Sequence, residues 1–155
     1  LYIMIETGLR PSEIVNLQER AIHLDCDIPH VEILPDGRML KTEDSKREMP
    51  LVGVALEAMK LRPQGFARYR DKSSGMSGTI NKYLRENALR PTADHTVYSL
   101  RHSFKDRLVA AEAPDSLIDS LMGHRSGKPK YGKGPALALK LKFLERISFA
   151  CPERL

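Results

Sequence analysis

No stretch of this 155-residue sequence is apolar for long enough to cross a bilayer. The longest apolar runs, such as Leu1 to Ile5, last only a few residues. A secretory signal pattern is missing too. The first residues read as the middle of a helix, which points to a piece of a longer protein. Only two cysteines occur, Cys26 and Cys151, and nothing in their spacing suggests a metal motif. They are expected to be reduced thiols of a cytoplasmic protein. There is no internal repeat, no low-complexity segment, no P-loop and no acidic metal cluster.

One further absence is local. Between Ser120 and Leu144 there is no acidic residue, while Arg125, Lys128, Lys130, Lys133, Lys140 and Lys142 are all basic. Soluble surfaces usually mix both signs, so a one-sign block set among glycines and prolines is expected to face phosphate. A merely solvated basic segment is the competing reading. The whole chain carries a net charge of +5 and a pI near 9.3, which suits a polyanionic partner without requiring one. With 41% hydrophobic and 29% charged residues, the composition is that of an ordinary globular protein. The length allows one compact domain over residues 1–155.

Hydrophobic spacing and chain-breaking residues predict a mainly helical fold with one small antiparallel sheet. Tyr2 to Glu6 is helix-compatible and Thr7-Gly8 ends it; Pro11 opens a second helix to Leu17. Val31 to Ile33, Arg38 to Thr42 and Arg47 to Leu51 read as strands, with a turn at Pro35-Asp36-Gly37. Val54 to Leu61 is the next helix. Ser73 to Gly78, rich in serine and glycine, reads as a loop before a helix from Thr79 to Ala88 whose inner face holds Ile80, Tyr83 and Leu84. Ser99 to Glu112 carries Leu100, Phe104, Leu108 and Ala111 at helical steps. A short helix from Pro114 or Asp115 to Met122 stops on Gly123. Pro135 opens a last helix striped by Leu137, Leu141, Leu144 and Ile147, which packs either within the chain or on a neighbouring protomer.

Four short motifs stand out. In Thr7-Gly8-Leu9-Arg10-Pro11-Ser12-Glu13, a cation is placed at the positive end of a helix, where the helix dipole opposes it. That placement suits an anion held between guanidinium and backbone amides, although a surface pair with Glu13 explains it equally well. In Tyr98-Ser99-Leu100-Arg101-His102, a second arginine falls in the first turn of a helix, and inward-facing Leu100 and Phe104 are expected to turn Arg101 away from the core. In Leu121-Met122-Gly123-His124, a histidine follows directly on a glycine stop; a lone histidine in such a place is as readily a satisfied structural group. In Lys128-Pro129-Lys130-Tyr131-Gly132-Lys133, a tyrosine lies among lysines and glycines with no apolar neighbour to bury it. Phenols ionise near pH ~10, and nearby cations favour the phenolate that attack on phosphate requires.

Taken in order, Thr-Gly-x-Arg-x-x-Glu, a hairpin lysine, Arg-His, Leu-x-Gly-His and a downstream Tyr-Gly resemble the tyrosine recombinase or phage integrase family. The likeness runs from Glu6 to about Ile147. It implies the catalytic-domain fold of that family, without the N-terminal core-binding DNA domain. It also implies site-specific recombination of double-stranded DNA through a covalent 3′-phosphotyrosine, with no cofactor, metal or membrane. Tyr131 then matches the nucleophile, and Arg10 and Arg101 match the arginines on the scissile phosphate. His124 matches the phosphate-bonding, proton-handling histidine, and Lys41 the general acid, with Lys46 as fallback. Glu13, Tyr98 and His102 would support these groups, and Lys128, Lys130 and Lys133 would meet DNA phosphates. The full-length enzyme would act as a tetramer on DNA, and this domain alone would be a monomer.

Two departures qualify the resemblance. Tyr98 stands where many members have histidine or lysine; it either donates a hydrogen bond to phosphate or merely packs under the helix. Tyr131 follows His124 by seven residues, a shorter tether than in common members. A catalytically impaired DNA-binding remnant and a type IB topoisomerase are the competing functions, and the compact Thr7-to-Glu13 motif favours the integrase branch.

Overall fold

In the computed structural model, residues 1–34, 46–124 and 134–152 are described. Seven α-helices and three short strands lie within them. Helix α1 (Tyr2–Thr7) ends on Gly8, whose φ of 59° is the left-handed conformation that stops a helix. Helix α2 (Pro11–Ile14) follows, then strands β1 (Ile22–His23), β2 (His30–Ile33) and β3 (Arg47–Pro50). The remaining helices are α3 (Gly53–Lys60), α4 (Ser73–Glu86), α5 (Ser99–Ala110), α6 (Asp115–Met122) and α7 (Leu137–Ile147).

Helices α1 and α5 form the centre. Ile3, Met4, Glu6 and Thr7 of α1 are all buried, so this short helix shows almost no outer face. It packs on α3 and α5, while α7 covers α5 and β3. The buried stripe of α5 runs Arg101, Phe104 and Leu108, at steps of three and four residues, with Val97 buried just ahead of the helix. Arg101 is therefore turned into the protein, contrary to the expectation that Leu100 would hold that place. Leu100 is only partly buried.

The sheet has order β1-β2-β3 and is antiparallel throughout. Ile22 faces Val31 and His23 faces His30; on the other side, Glu32 faces Glu48 and Ile33 faces Arg47. Strand alternation puts Val31, Ile33, Arg47 and Met49 on the core face and leaves His30, Glu32 and Glu48 outside. The strand expected at Arg38 to Thr42 lies outside the described residues, as does the turn at Pro35 to Gly37, and β2 pairs directly with β3. Strand β1 has no counterpart in the sequence pattern, because two residues are too few to show alternation.

Two helical expectations need correction. Helix α2 is a single turn rather than a run to Leu17. Beyond Ile14 the chain unwinds: Asn16 Nδ2 donates to Ser12 O (2.9 Å), its Oδ1 accepts from Asp71 N (3.1 Å), and Gln18 bridges to Gly65. Conversely, the Ser73–Gly78 segment is the first part of α4. Met76, Ile80 and Leu84 recur every four residues and turn inward, while Gly75 and Gly78 face open space. Burial of that stripe outweighs the poor helix propensity of serine and glycine. Tyr83, expected inside, is exposed.

Helix α7 packs within the chain through Leu144 and Ile147, joined by a buried Lys140. Lys140 Nζ donates to Glu48 O on β3 (2.8 Å), so this member of the basic block does not face a ligand. The segment after α7 is clamped as well. Arg107 donates to the carbonyls of Ile5 and Ile147 and lies 4.5 Å over the Phe149 ring, and Phe149 N donates to Glu6 Oε1 (2.7 Å). Burial raises the Glu6 carboxyl above its ordinary value against the pull of the Phe149 amide and the Arg107 charge.

Gly8 leaves no room in this packing, because an added Cβ would lie 2.3 Å from Phe104 Cδ1. A Gly8→Ala substitution meets both that clash and a left-handed backbone, so it is expected to destabilise by about 2–5 kcal/mol in urea unfolding.

Candidate active site

Helix α6 ends at Met122, and Gly123 turns the chain with φ 60° and ψ 45°. A helix C-terminus leaves carbonyls without intrahelical donors and carries partial negative charge. Here three successive carbonyls are met by three arginines from distant parts of the chain. Arg47 Nε donates to Leu121 O (2.8 Å), Arg101 Nη2 to Met122 O, and Arg10 Nη2 to Gly123 O (3.3 Å). Arg101 Nη1 also donates to Gly8 O, tying the end of α1 to the end of α6. The Arg47 guanidinium lies directly over Gly123, where an added Cβ would meet its Nη1 at 2.7 Å. A glycine is required there for space and for backbone conformation alike.

Glu13 organises two of these arginines. Its Oε1 accepts from Arg10 Nη1 (2.8 Å) and Arg47 Nη1 (2.9 Å), while Oε2 accepts from Arg47 Nη2 (3.0 Å) and from the Arg10 backbone N–H (2.7 Å). The local reason is the arrangement of α2. Pro11 fixes the first turn, so the carboxylate three residues after Arg10 swings back onto its amide. Arg10 does pair with Glu13, as the second reading of its motif expects, but within a three-arginine cluster rather than alone on the surface. The amide of Arg10 is occupied by Glu13, and one turn of helix offers little dipole, so the guanidiniums supply the positive charge.

Burial alone would raise the Glu13 carboxyl, but the hydrogen bonds and charges of Arg47 and Arg10 outweigh it and pull the group below its ordinary 4.5. Arg101 is pushed down to about 10, first by burial and then by the charge of Arg10, with Glu13 opposing. It stays protonated near neutrality, yet as a crowded, desolvated cation it gains from any anion that enters. His124 sits beside it, with Nε2 3.3 Å from Arg101 Nη2. Burial, then Arg101 and Arg10, lower its pKa. The imidazole is therefore neutral at pH 7, and its contact with an arginine donor assigns the lone pair to Nε2.

The remaining sequence candidates fall differently. Tyr98 is exposed and lies edge-on to His102, with ring centroids 5.7 Å apart; it does not pack under the helix. Lys46 is exposed and lies just ahead of β3. Lys41, Lys128, Lys130, Tyr131 and Lys133 lie outside the described residues. Arg47 was not anticipated. Its signal was available, since Arg47, Met49 and Leu51 share one face of a strand and two of them are apolar.

Linkage gives the cluster a pH signature. Because the Glu13 carboxyl is held below 4.5, its stabilising effect is complete above about pH 4.5 and is lost as pH falls through the lower folded-state value. Glu13→Ala leaves two arginines without their carboxylate and is expected to cost about 3–5 kcal/mol at pH 7. Denaturant unfolding from pH 7 to 3 should show the gap between wild type and variant shrinking on acidification.

No curated protein sequence matches this chain. Among solved structures, the integrase of mycobacterium phage Brujita superposes with a TM-score of 0.68 at 19% identity, covering 97% of this chain and 52% of that one. The Tn1549 transposon integrase in complex with transposon right end DNA gives 0.56 at 19% identity, over 91% and 51%. The same integrase with circular intermediate DNA gives 0.57 at 18%, over 95% and 58%. The chain thus spans about half the length of these structures and shares their fold, mainly helical with a small antiparallel sheet. Residues 1–129 match the sequence profile of the phage integrase family, well over half of the chain, and the protein belongs to that family.

Proposed function

We propose that this chain is the catalytic domain of a site-specific DNA recombinase that cuts and rejoins strands through a 3′-phosphotyrosine. The observation that carries the proposal is the convergence of Arg10, Arg101 and His124 around Gly123. Three segments far apart in sequence deliver two guanidiniums and a neutral imidazole to one place, and the charge there favours an anion.

Each group has a role that fits its geometry. Arg10 and Arg101 bind the non-bridging oxygens of a phosphodiester and neutralise the charge that grows as phosphorus becomes five-coordinate. The Nε2 lone pair of His124 accepts the proton of an attacking hydroxyl or, once protonated, hydrogen-bonds the phosphate. Tyr131 Oη attacks phosphorus, the bond to the 5′-oxygen breaks, and Lys41 protonates that oxygen to give a 5′-hydroxyl. The phosphotyrosine ester keeps the energy of the broken bond, so attack by a 5′-hydroxyl reverses the step without ATP. Glu13 and Arg47 act by positioning Arg10 and the α6 terminus. Lys128, Lys130 and Lys133 flank Tyr131 and would hold neighbouring phosphates. The partner is double-stranded DNA, on which the enzyme acts as a tetramer.

A nicked suicide substrate tests this directly. The full-length protein should give a DNA complex that survives denaturant, Tyr131→Phe should give none, and Arg10→Ala should slow its formation by about 10²–10³-fold. Absence of the complex with wild type would support a DNA-binding remnant. Trapping by Tyr131→Phe would remove Tyr131 as nucleophile. Relaxation of supercoiled plasmid without recombination would instead favour a topoisomerase.

A further inference from the structure

On the outer face of the sheet, away from the arginine cluster, His23, His30 and Glu32 come together. The register that pairs His23 with His30 puts both rings on one side, and Glu32 follows two residues along the same strand. One ligand-type atom from each lies within 4.8 Å of the other two. The rings stack with centroids 4.7 Å apart, and His23 Nε2 is 3.1 Å from Glu32 Oε1. That nitrogen is buried, yet the contact lacks the angles of a hydrogen bond, so among the described residues it has no hydrogen-bond partner. His30 Nδ1 lies 2.8 Å from Ile28 O. As an N–H donor to that carbonyl, it leaves the lone pair on Nε2, the arrangement in which a backbone carbonyl orients a metal-binding histidine. Directly across from Glu32 stands Glu48, a like-charge pair that a cation would relieve.

We propose that His23, His30 and Glu32 form a binding site for a divalent ion of the zinc class, with water completing a tetrahedral shell. Two imidazoles and one carboxylate are a common zinc donor set. Bonds of about 2.0–2.1 Å in a tetrahedron put ligand atoms about 3.3–3.5 Å apart. The His23–Glu32 separation is already near that value, and side-chain rotation closes the rest. The ion would tie β1 to β2, an edge held by only two residue pairs. It would be structural and would not take part in phosphoryl transfer, since the site shares no residue with the Arg10–Arg101–His124 cluster.

Zinc titrated into the chelator-treated chain, followed by native mass spectrometry and thermal unfolding, tests the site. One zinc per chain and a raised Tm are expected. His30→Ala and Glu32→Gln should each weaken binding by about tenfold or more, with the fold checked by circular dichroism, and His95→Ala should bind as wild type does. Histidine-ring NMR of the wild type gives a readout independent of the variants: zinc should shift His23 and His30. No uptake, uptake undiminished in folded His30→Ala, or shifts confined to His95, His102 or His124 would each overturn the proposal.

Discussion

The end of helix α6 has a problem that every helix end shares: carbonyls without donors, at the negative pole of the helix. This protein solves it with guanidinium groups. Arg47, Arg101 and Arg10 each take one of three successive carbonyls, and Glu13 braces two of the three. Much of the site follows from that arrangement. It fixes Gly123 as glycine, draws Gly8 and the end of α1 toward α6, and gathers positive charge beside His124.

The cost of the arrangement is electrostatic. Three like charges within one partly buried cluster repel, and burial strips them of water. The negative helix end and Glu13 offset this without removing it. A guanidinium offers five donors, and the described bonds of buried Arg101 engage three, two of them fixing backbone carbonyls. The proposed chemical roles therefore fall on residues that also hold the backbone together.

Local chemistry made much of this visible. Glycine stops at Gly8 and Gly123, Pro11 at a helix start, and the apolar stripes of α5 and α6 could all be read from residue spacing. So could the placement of Arg10, Glu13, Arg101 and His124 at helix ends, because each sits beside such a signal. Burial of Arg101 could not be read that way. Its charge argues for solvent, and only carbonyl acceptors from α1 and α6, 93 and 21 residues away, make the interior tolerable. The helical start of α4 was hidden for a similar reason, since serine and glycine disfavour helix until Met76 finds the core.

Residue pattern alone pointed to the family, the order of the helices and which polar residues stand at their ends, because caps, breakers and hydrophobic period are local properties. Tertiary structure decided which of those polar residues meet. It brought Arg47 in from a strand and turned Arg101 inward. Each outcome depends on acceptors or neighbours far away in the chain, and a linear pattern does not contain those distances.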